Sequence, residues 1–175
     1  MQKIVIIGSS CSGKTTLSIE LEKRLELKRI ELDAINWLPD WQELDYDKFR
    51  EIITRETRGE AWIVDGNYIS RIGELVLNRA DIIIWLNLPF LTVYGRLFPR
   101  LFRRVFKGQE LWNGNRENLW STLFDWDSLL YWIPRRYWQS QRSYQKIFDQ
   151  PEYAGKLLEF NDAQTIDTWL DGISP

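Results

Sequence analysis

Between Ile7 and Leu17 the chain reads IGSSCSGKTTL. Gly8 and Gly13 bracket four small residues, and Lys14, Thr15 and Thr16 follow at once. Glycines let such a loop wrap inward, so that successive backbone N–H groups point at phosphate oxygens. A helix beginning near Lys14 brings the positive end of its dipole to the same place. Lys14 then reaches β- and γ-phosphates, and the Thr15 hydroxyl can ligate Mg²⁺. The alternative is a glycine- and serine-rich turn that binds nothing. An apolar strand just before the loop, a helix just after it and the Lys-Thr pair favour the phosphate. Gly8, Ser9, Ser10, Cys11, Ser12, Gly13, Lys14, Thr15 and Thr16 are therefore expected to hold a nucleoside triphosphate.

What is missing narrows the chemistry around that loop. There is no histidine and a single cysteine, Cys11. Ser-His-Asp and Cys-His nucleophile systems are thereby excluded, and any general base must be a carboxylate, a lysine or a tyrosine. A structural zinc site is excluded as well, whereas a hard cation on oxygen ligands remains open. Two aspartates qualify by position. Asp33 and Asp65 each follow a strand, and ligands of open α/β sheets bind beyond the carboxyl ends of strands. Asp65 is expected on the Mg²⁺ side, acting through water. Asp33 is expected to bind the acceptor or to act as its base. Otherwise Asp33 is a helix cap or turn residue, and Asp65-Gly66 a plain turn. Trp37 and Trp41, close to Asp33, are expected as walls of the acceptor pocket.

A second set of charges lies far along the chain. Arg96, Arg100, Arg103 and Lys107 follow at intervals of four, three and four, which lines them along one helix face. Leu91, Tyr94, Phe98, Leu101 and Val105 are expected on the opposite, apolar face. No acidic residue occurs between Asp81 and Glu110. Unpaired arginines beside a triphosphate suit neutralisation of the transferring phosphoryl group. The other reading is a solvated basic face. Arg116, Arg135 and Arg136 are further candidates. Seven of the ten tryptophans fall after residue 80, among them those at 85, 112, 120, 126, 132 and 138, which are expected to serve as core or interface, or to stack a base or sugar.

The elements that must position these groups can be read from periodicity and punctuation. Lys3–Ile7 is continuously apolar after its first residue, as in a strand covered on both faces. A helix follows over Thr16–Leu25. A second strand spans Arg29–Leu32, and Asn36–Trp41 is a turn in which Pro39 limits any helix before it. Asp45–Thr57 reads as a helix, with Phe49, Ile52 and Ile53 inward. Ala61–Val64 and Asp81–Leu88 are the third and fourth strands, the latter stopped by Pro89, which suits the first turn of a helix. A long helical part reaches Phe148, broken near Pro99, at 108–114 and at Pro134. Lys156–Phe160 is a fifth strand and Ala163–Leu170 a closing helix. Alternating strands and helices predict an α/β domain with a mainly parallel sheet. With no repeat or linker, a single domain over residues 1–175 is expected, its helical lid at about 90–148.

These motifs carry a resemblance. Gly8-x-x-x-x-Gly13-Lys14-Thr15 resembles the Walker A motif of P-loop NTPases. WIVDGNY (Trp62–Tyr68), ADIIIWLNLP (Ala80–Pro89) and Arg96-x-x-x-Arg100 resemble successive segments of adenylate-kinase-like enzymes, the last being the paired arginines that begin their lid. ELDAINW (Glu31–Trp37) is similar to shikimate- and gluconate-kinase-like members, whose second strand ends in a substrate-contacting aspartate. The order "LD…W…W", DGNY and arginine-rich lid resembles the adenylate-kinase-related branch labelled DNA topology modulation protein, or FlaR-like, over about residues 1–140. The resemblance implies a P-loop fold of the nucleoside-monophosphate-kinase type, with a five-stranded, mainly parallel sheet flanked by helices and an arginine-rich lid. It implies ATP and Mg²⁺, the metal on Thr15 and Asp65, and Lys14, Asp33, Arg96 and Arg100 as catalytic residues. Asp33, Trp37, Asp65, Gly66, Asn67 and Arg71 would meet the acceptor. One departure matters: the adenylate-kinase DGFPR becomes Asp65-Gly66-Asn67-Tyr68-Ile69-Ser70-Arg71, which argues against AMP as that acceptor.

Whole-chain properties bound the rest. A length of 175 residues with 44% hydrophobic residues supports a packed core. The net charge of −2 disfavours nucleic acid as a partner, because nonspecific DNA affinity comes chiefly from phosphate neutralisation. No stretch has the roughly 20 apolar residues of a membrane helix, no signal peptide is visible, and one cysteine precludes an intrachain disulfide. A cytoplasmic protein is expected. The expected function is ATP- and Mg²⁺-dependent phosphoryl transfer to a small-molecule acceptor, a nucleotide, nucleoside or other small hydroxyl compound. The alternatives are a polynucleotide end kinase and an ATP-binding regulator acting on DNA topology.

Overall fold

The computed structural model describes residues 2–106, 108, 110–116 and 129–173. Lys107 and the tryptophans at 120 and 126 lie outside the described residues, as does the part of the expected lid at 117–128. Five strands form one sheet in the order β2-β3-β1-β4-β5, where β1 is Lys3–Gly8, β2 Arg29–Glu31, β3 Trp62–Asp65, β4 Ile82–Leu86 and β5 Leu157–Phe160. Every pairing is parallel, with Val5 opposite Val64 on one side and Ile83 on the other. The chain leaves β1 toward β2 on one side and leaves β4 toward β5 on the other. That divergence opens a crevice at the carboxyl ends of the central strands.

Alternation along β1 sorts the core into two layers, as a period of two requires. Ile4 and Ile6 pack with Leu17 and Leu21 of helix α1 (Lys14–Leu25). Residues from α6 (Phe90–Phe106) and α8 (Ala163–Asp171) complete that layer. Val5 and Ile7 pack on the other face with Phe49 and Ile53 of α3 (Tyr46–Glu56) and with Tyr144 and Phe148 of α7 (Leu129–Phe148). Three shorter helices remain among the described residues: α2 (Leu32–Asn36), α4 (Ile69–Ile72) and α5 (Leu75–Arg79). Asp45 caps α3 by accepting from the backbone N–H groups of Asp47 and Lys48 at 3.1 Å each.

Several sequence expectations need correction. Strand β2 stops at Glu31, so Asp33 stands on α2 and not at a strand end. Helices α4 and α5, between the DGNY segment and β4, were not expected; each is about one turn long, too short for a periodic signal. Pro99 and Pro134 lie inside continuous helices. A mid-helix proline costs about 3 kcal/mol. On α6, however, Val93, Leu97 and Leu101 are buried around Pro99, each contributing about 1.5–3 kcal/mol, and packing wins. The apolar face of α6 also differs from expectation. Val93, Leu97 and Leu101 face the core, whereas Leu91 and Phe98 are exposed.

Candidate active site

The loop between β1 and α1 is shaped by two glycines. A β-carbon on Gly8 would lie 2.7 Å from the Ser12 hydroxyl and 2.8 Å from the Leu86 carbonyl, so only glycine fits there. Gly13 has φ 106°, where a side chain is strained, and it leads directly into α1. The first N–H groups of α1 have no carbonyl within the helix to meet. The Ser9 and Ser12 hydroxyl oxygens are buried and lack a partner among the described residues. Buried polar atoms of this kind require a hydrogen-bonding group from elsewhere. Asn67 braces the base of the loop: its Oδ1 accepts from the Gly8 N–H at 3.2 Å and its Nδ2 donates to the Gly8 carbonyl.

Lys14 turns back on this loop and donates to the carbonyls of Gly8 and Ser9, at 3.0 Å each. Burial pushes its pKa down, and the negative charges of Asp65 and Asp33 oppose that fall. Two guanidiniums from α6 come to the same loop. Arg96 donates to the Ser12 carbonyl at 3.2 Å, and Arg100 approaches the Cys11 sulfur at 3.6 Å. Cations from two distant segments therefore converge on one loop.

Asp65, the last residue of β3, is almost wholly buried and accepts from the Ser18 hydroxyl at 3.1 Å. Burial raises its pKa, against the lowering effects of Lys14, Thr15 and Ser18. The donor set fits Mg²⁺: an alcohol oxygen from Thr15 in the cavity wall, with the desolvated carboxylate of Asp65 behind it. No cluster of three or more Cys, Asp or Glu able to hold an ion by themselves occurs among the described residues.

A cavity of about 1000 Å³ runs from this loop across the sheet edge. Its lining includes the loop from Ser10 to Thr16, with Arg96, Arg100 and Arg103 from α6 and Asp33 from α2. Asp33 is bonded by the Tyr68 hydroxyl, which donates to its Oδ1 at 2.6 Å. Burial and the Asp33 charge push the Tyr68 pKa well above the usual phenol range, so this hydroxyl stays a donor. Trp37, Gly66, Asn67 and Arg71 are not in the wall. Arg71 is engaged elsewhere, donating to Asn36 Oδ1 and the Leu44 carbonyl, with its guanidinium 4.9 Å from the centre of the Phe49 ring.

Six contributors were given no role in the site by the sequence reading. Glu31 and Trp112 line the cavity together, with Trp112 Nε1 donating to Glu31 Oε1 at 2.8 Å. Arg24 and the α8 residues Ile166 and Asp167 line its other end. Tyr68 was visible within DGNY but had no role until Asp33 was placed. Position beyond the carboxyl end of β5 could have pointed to α8; no local signal pointed to Trp112.

Trp112 reaches the wall because its turn is pinned to the loop after α2. Asn115, buried to 4% exposure, donates to the carbonyls of Leu38 and Trp112, at 2.8 Å each, and accepts from the Trp41 N–H at 2.9 Å. Asn113 donates to the carbonyls of Ala34 and Trp37. Trp41 stands edge-on between Trp37 and Trp112, at centroid distances of 5.7 and 6.4 Å. Trp37 and Trp41 thus support the wall from behind.

No helix among the described residues is long and apolar enough to cross a membrane. No protein-family model matches the chain, and no curated protein matches it. Among solved structures it is similar to a shikimate kinase from Acinetobacter baumannii in complex with shikimate, with a TM-score of 0.55 and 18% identity over 99% of this chain and 90% of that one. It is also similar to a deoxyadenosine kinase from M. mycoides with bound dCTP, with a TM-score of 0.51 and 17% identity over 97% and 99%. What the chain shares with both is the fold, a five-stranded parallel sheet flanked by helices.

Proposed function

We propose that this protein is an ATP- and Mg²⁺-dependent kinase that phosphorylates a small molecule, built as a single P-loop domain with a lid at about 90–148. The observation that carries the reading is the convergence of Lys14, Arg96 and Arg100 on one phosphate-shaped loop, with Asp33 in the wall of the same cavity. Three cations around the transferring group lower the barrier by stabilising its charge, and the site needs little other chemistry. Mg²⁺ on Thr15 and Asp65 would neutralise phosphate charge when bound. The acceptor oxygen attacks the γ-phosphorus and the bond to the β–γ bridging oxygen breaks. The electron pair leaves with ADP, and the acceptor proton passes to Asp33. Both similar structures are kinases named for small hydroxylated molecules, which supports the same class here. Placement in the FlaR-like branch, and in the cytoplasm, belongs to this proposal and rests on the order of motifs and on composition.

The test is label transfer. The protein is incubated with Mg²⁺, γ-labelled ATP and a low-molecular-weight cell extract, and in parallel with an oligonucleotide bearing a free 5′ hydroxyl. Label entering a small organic product in step with ADP is the expected result. Label on the oligonucleotide alone would favour the polynucleotide alternative. Release solely as inorganic phosphate would overturn the kinase reading.

A further inference from the structure

We infer that the acceptor is an uncharged hydroxyl compound with a ring, such as a nucleoside or a sugar, and not a phosphate ester. This rests on the kinase reading above. Charge is distributed unevenly over the cavity, with the α6 guanidiniums facing the loop from one side. Its guanidiniums come from α6 and, through Arg24, from α1, where Arg24 pairs with Glu20 at 2.9 Å and Asp167 and Asp171 share the lining. The wall formed by β2, α2 and the turn at 110–116 carries Glu31, Asp33 and Trp112 instead.

Among the described residues the cations that border this second wall pair with the protein; Arg116, in the turn itself, lies 3.6 Å from Glu110 and outside the cavity lining. Arg29 pairs with Glu31 at 3.0 Å and Glu22 at 3.4 Å. Arg71 is held by Asn36, by the Leu44 carbonyl and by Glu43 at 3.6 Å. Neither lines the cavity. A phosphate ester lodged here would face two carboxylates without a bordering guanidinium released to meet it, and like charge at such range is unfavourable.

The hydrogen-bonding capacity of the two carboxylates sharpens the point. Glu31 accepts from Trp112 on Oε1 and from Arg29 on Oε2. Asp33, in the wall, accepts from Tyr68 on Oδ1, and its Oδ2 has no hydrogen-bond partner among the described residues. An ionised carboxylate can only accept. Its ligand must therefore bring a donor, as an alcohol does and a phosphate dianion does not. The Trp112 indole beside it offers apolar surface to a ring, with its N–H already spent on Glu31.

Matched pairs decide the matter: adenosine with AMP, thymidine with dTMP, and glucose with glucose 6-phosphate. For each, kcat/KM for acceptor-dependent ADP release is measured with Mg-ATP, and ATP binding is followed by calorimetry in the same preparation. In every pair that supports transfer, the neutral member should be preferred at least tenfold. A phosphate ester used as well as or better than its neutral partner would overturn the inference while leaving a kinase. ATP binding without transfer to any neutral member would overturn it too. Failure to bind ATP at all would instead remove the kinase reading beneath it.

Discussion

The phosphate loop and the acceptor wall occupy the same edge of the sheet but are constructed in opposite ways. The loop takes its residues from consecutive positions, 8–16, and on the proposed reading it would meet phosphate mainly through backbone N–H groups. The wall draws on β2, α2, Tyr68 after β3 and the turn at 110–116, and the bond from Trp112 to Glu31 spans 81 positions. A contiguous backbone device tolerates wide change elsewhere in the chain. A wall of side chains depends on each distant segment being held in place. The first therefore identifies a chemistry, and the second its acceptor.

Substitutions can break that contrast in order of size. Lys14→Met should lower phosphoryl transfer by about 100- to 1000-fold, since it removes a charge that acts on the transferring group. The ligand-free fold should survive, with a Tm within about 3 °C of the native value. Burial already disfavours the charged lysine, which offsets the loss of its bonds to Gly8 and Ser9. Near-native turnover, measured by coupled ADP release, would remove Lys14 from the phosphate site.

A smaller loss, concentrated in the acceptor, is expected from Tyr68→Phe. Losing one hydrogen bond to a charged group, about 1.5 kcal/mol, should cost roughly tenfold in acceptor kcat/KM and leave the Kd for ATP unchanged. The pH dependence is the sharper readout. Because the Tyr68 pKa is raised, its hydroxyl stays protonated, and the ratio of native to variant rates should be flat between about pH 6 and 9. A ratio that collapses toward one as pH rises within that window would show a phenol of ordinary or lowered pKa.

The smallest effect on turnover belongs to Asn115→Ala. This residue does not line the cavity but joins the turn of Trp112 to the loop at 38–42. Acceptor KM should rise several-fold with kcat nearly constant, and denaturant unfolding should report a loss of about 1–3 kcal/mol from the orphaned buried partners. Equal changes in ATP and acceptor KM would mean that the two regions are not separable.

Legibility in the sequence followed the same division. Strand order, the longer helices, the parallel sheet and the glycine-rich loop were readable, because apolar periodicity and the Gly8-to-Thr15 spacing are local signals, whereas one-turn α4 and α5 were not. Asp33 was placed beside the site although its element was misread, since α2 is only five residues long and mimics a strand end. The interior prolines of α6 and α7 were read as breaks because propensity is local, whereas the packing that overrides it is not. Arg71 looked available because its commitment to Asn36 and Leu44 joins segments 27–35 positions apart. Trp112 could not be paired with Glu31 for the same reason.

The joined turns also say how the acceptor side opens. Each is closed by a bond across its own neck, Leu38 N–H to the Gln42 carbonyl at 2.8 Å and Leu111 N–H to the Asn115 carbonyl at 2.7 Å. Asn115 bridges them, so neither neck can loosen far while the other stays shut. In hydrogen-exchange terms, the amides of Leu38 and Leu111 belong to one local unfolding unit and should exchange at matched rates, although they are 73 positions apart. On the proposed reading, that single opening would carry Trp112 away from Glu31 and loosen the acceptor wall without involving the loop at 8–16.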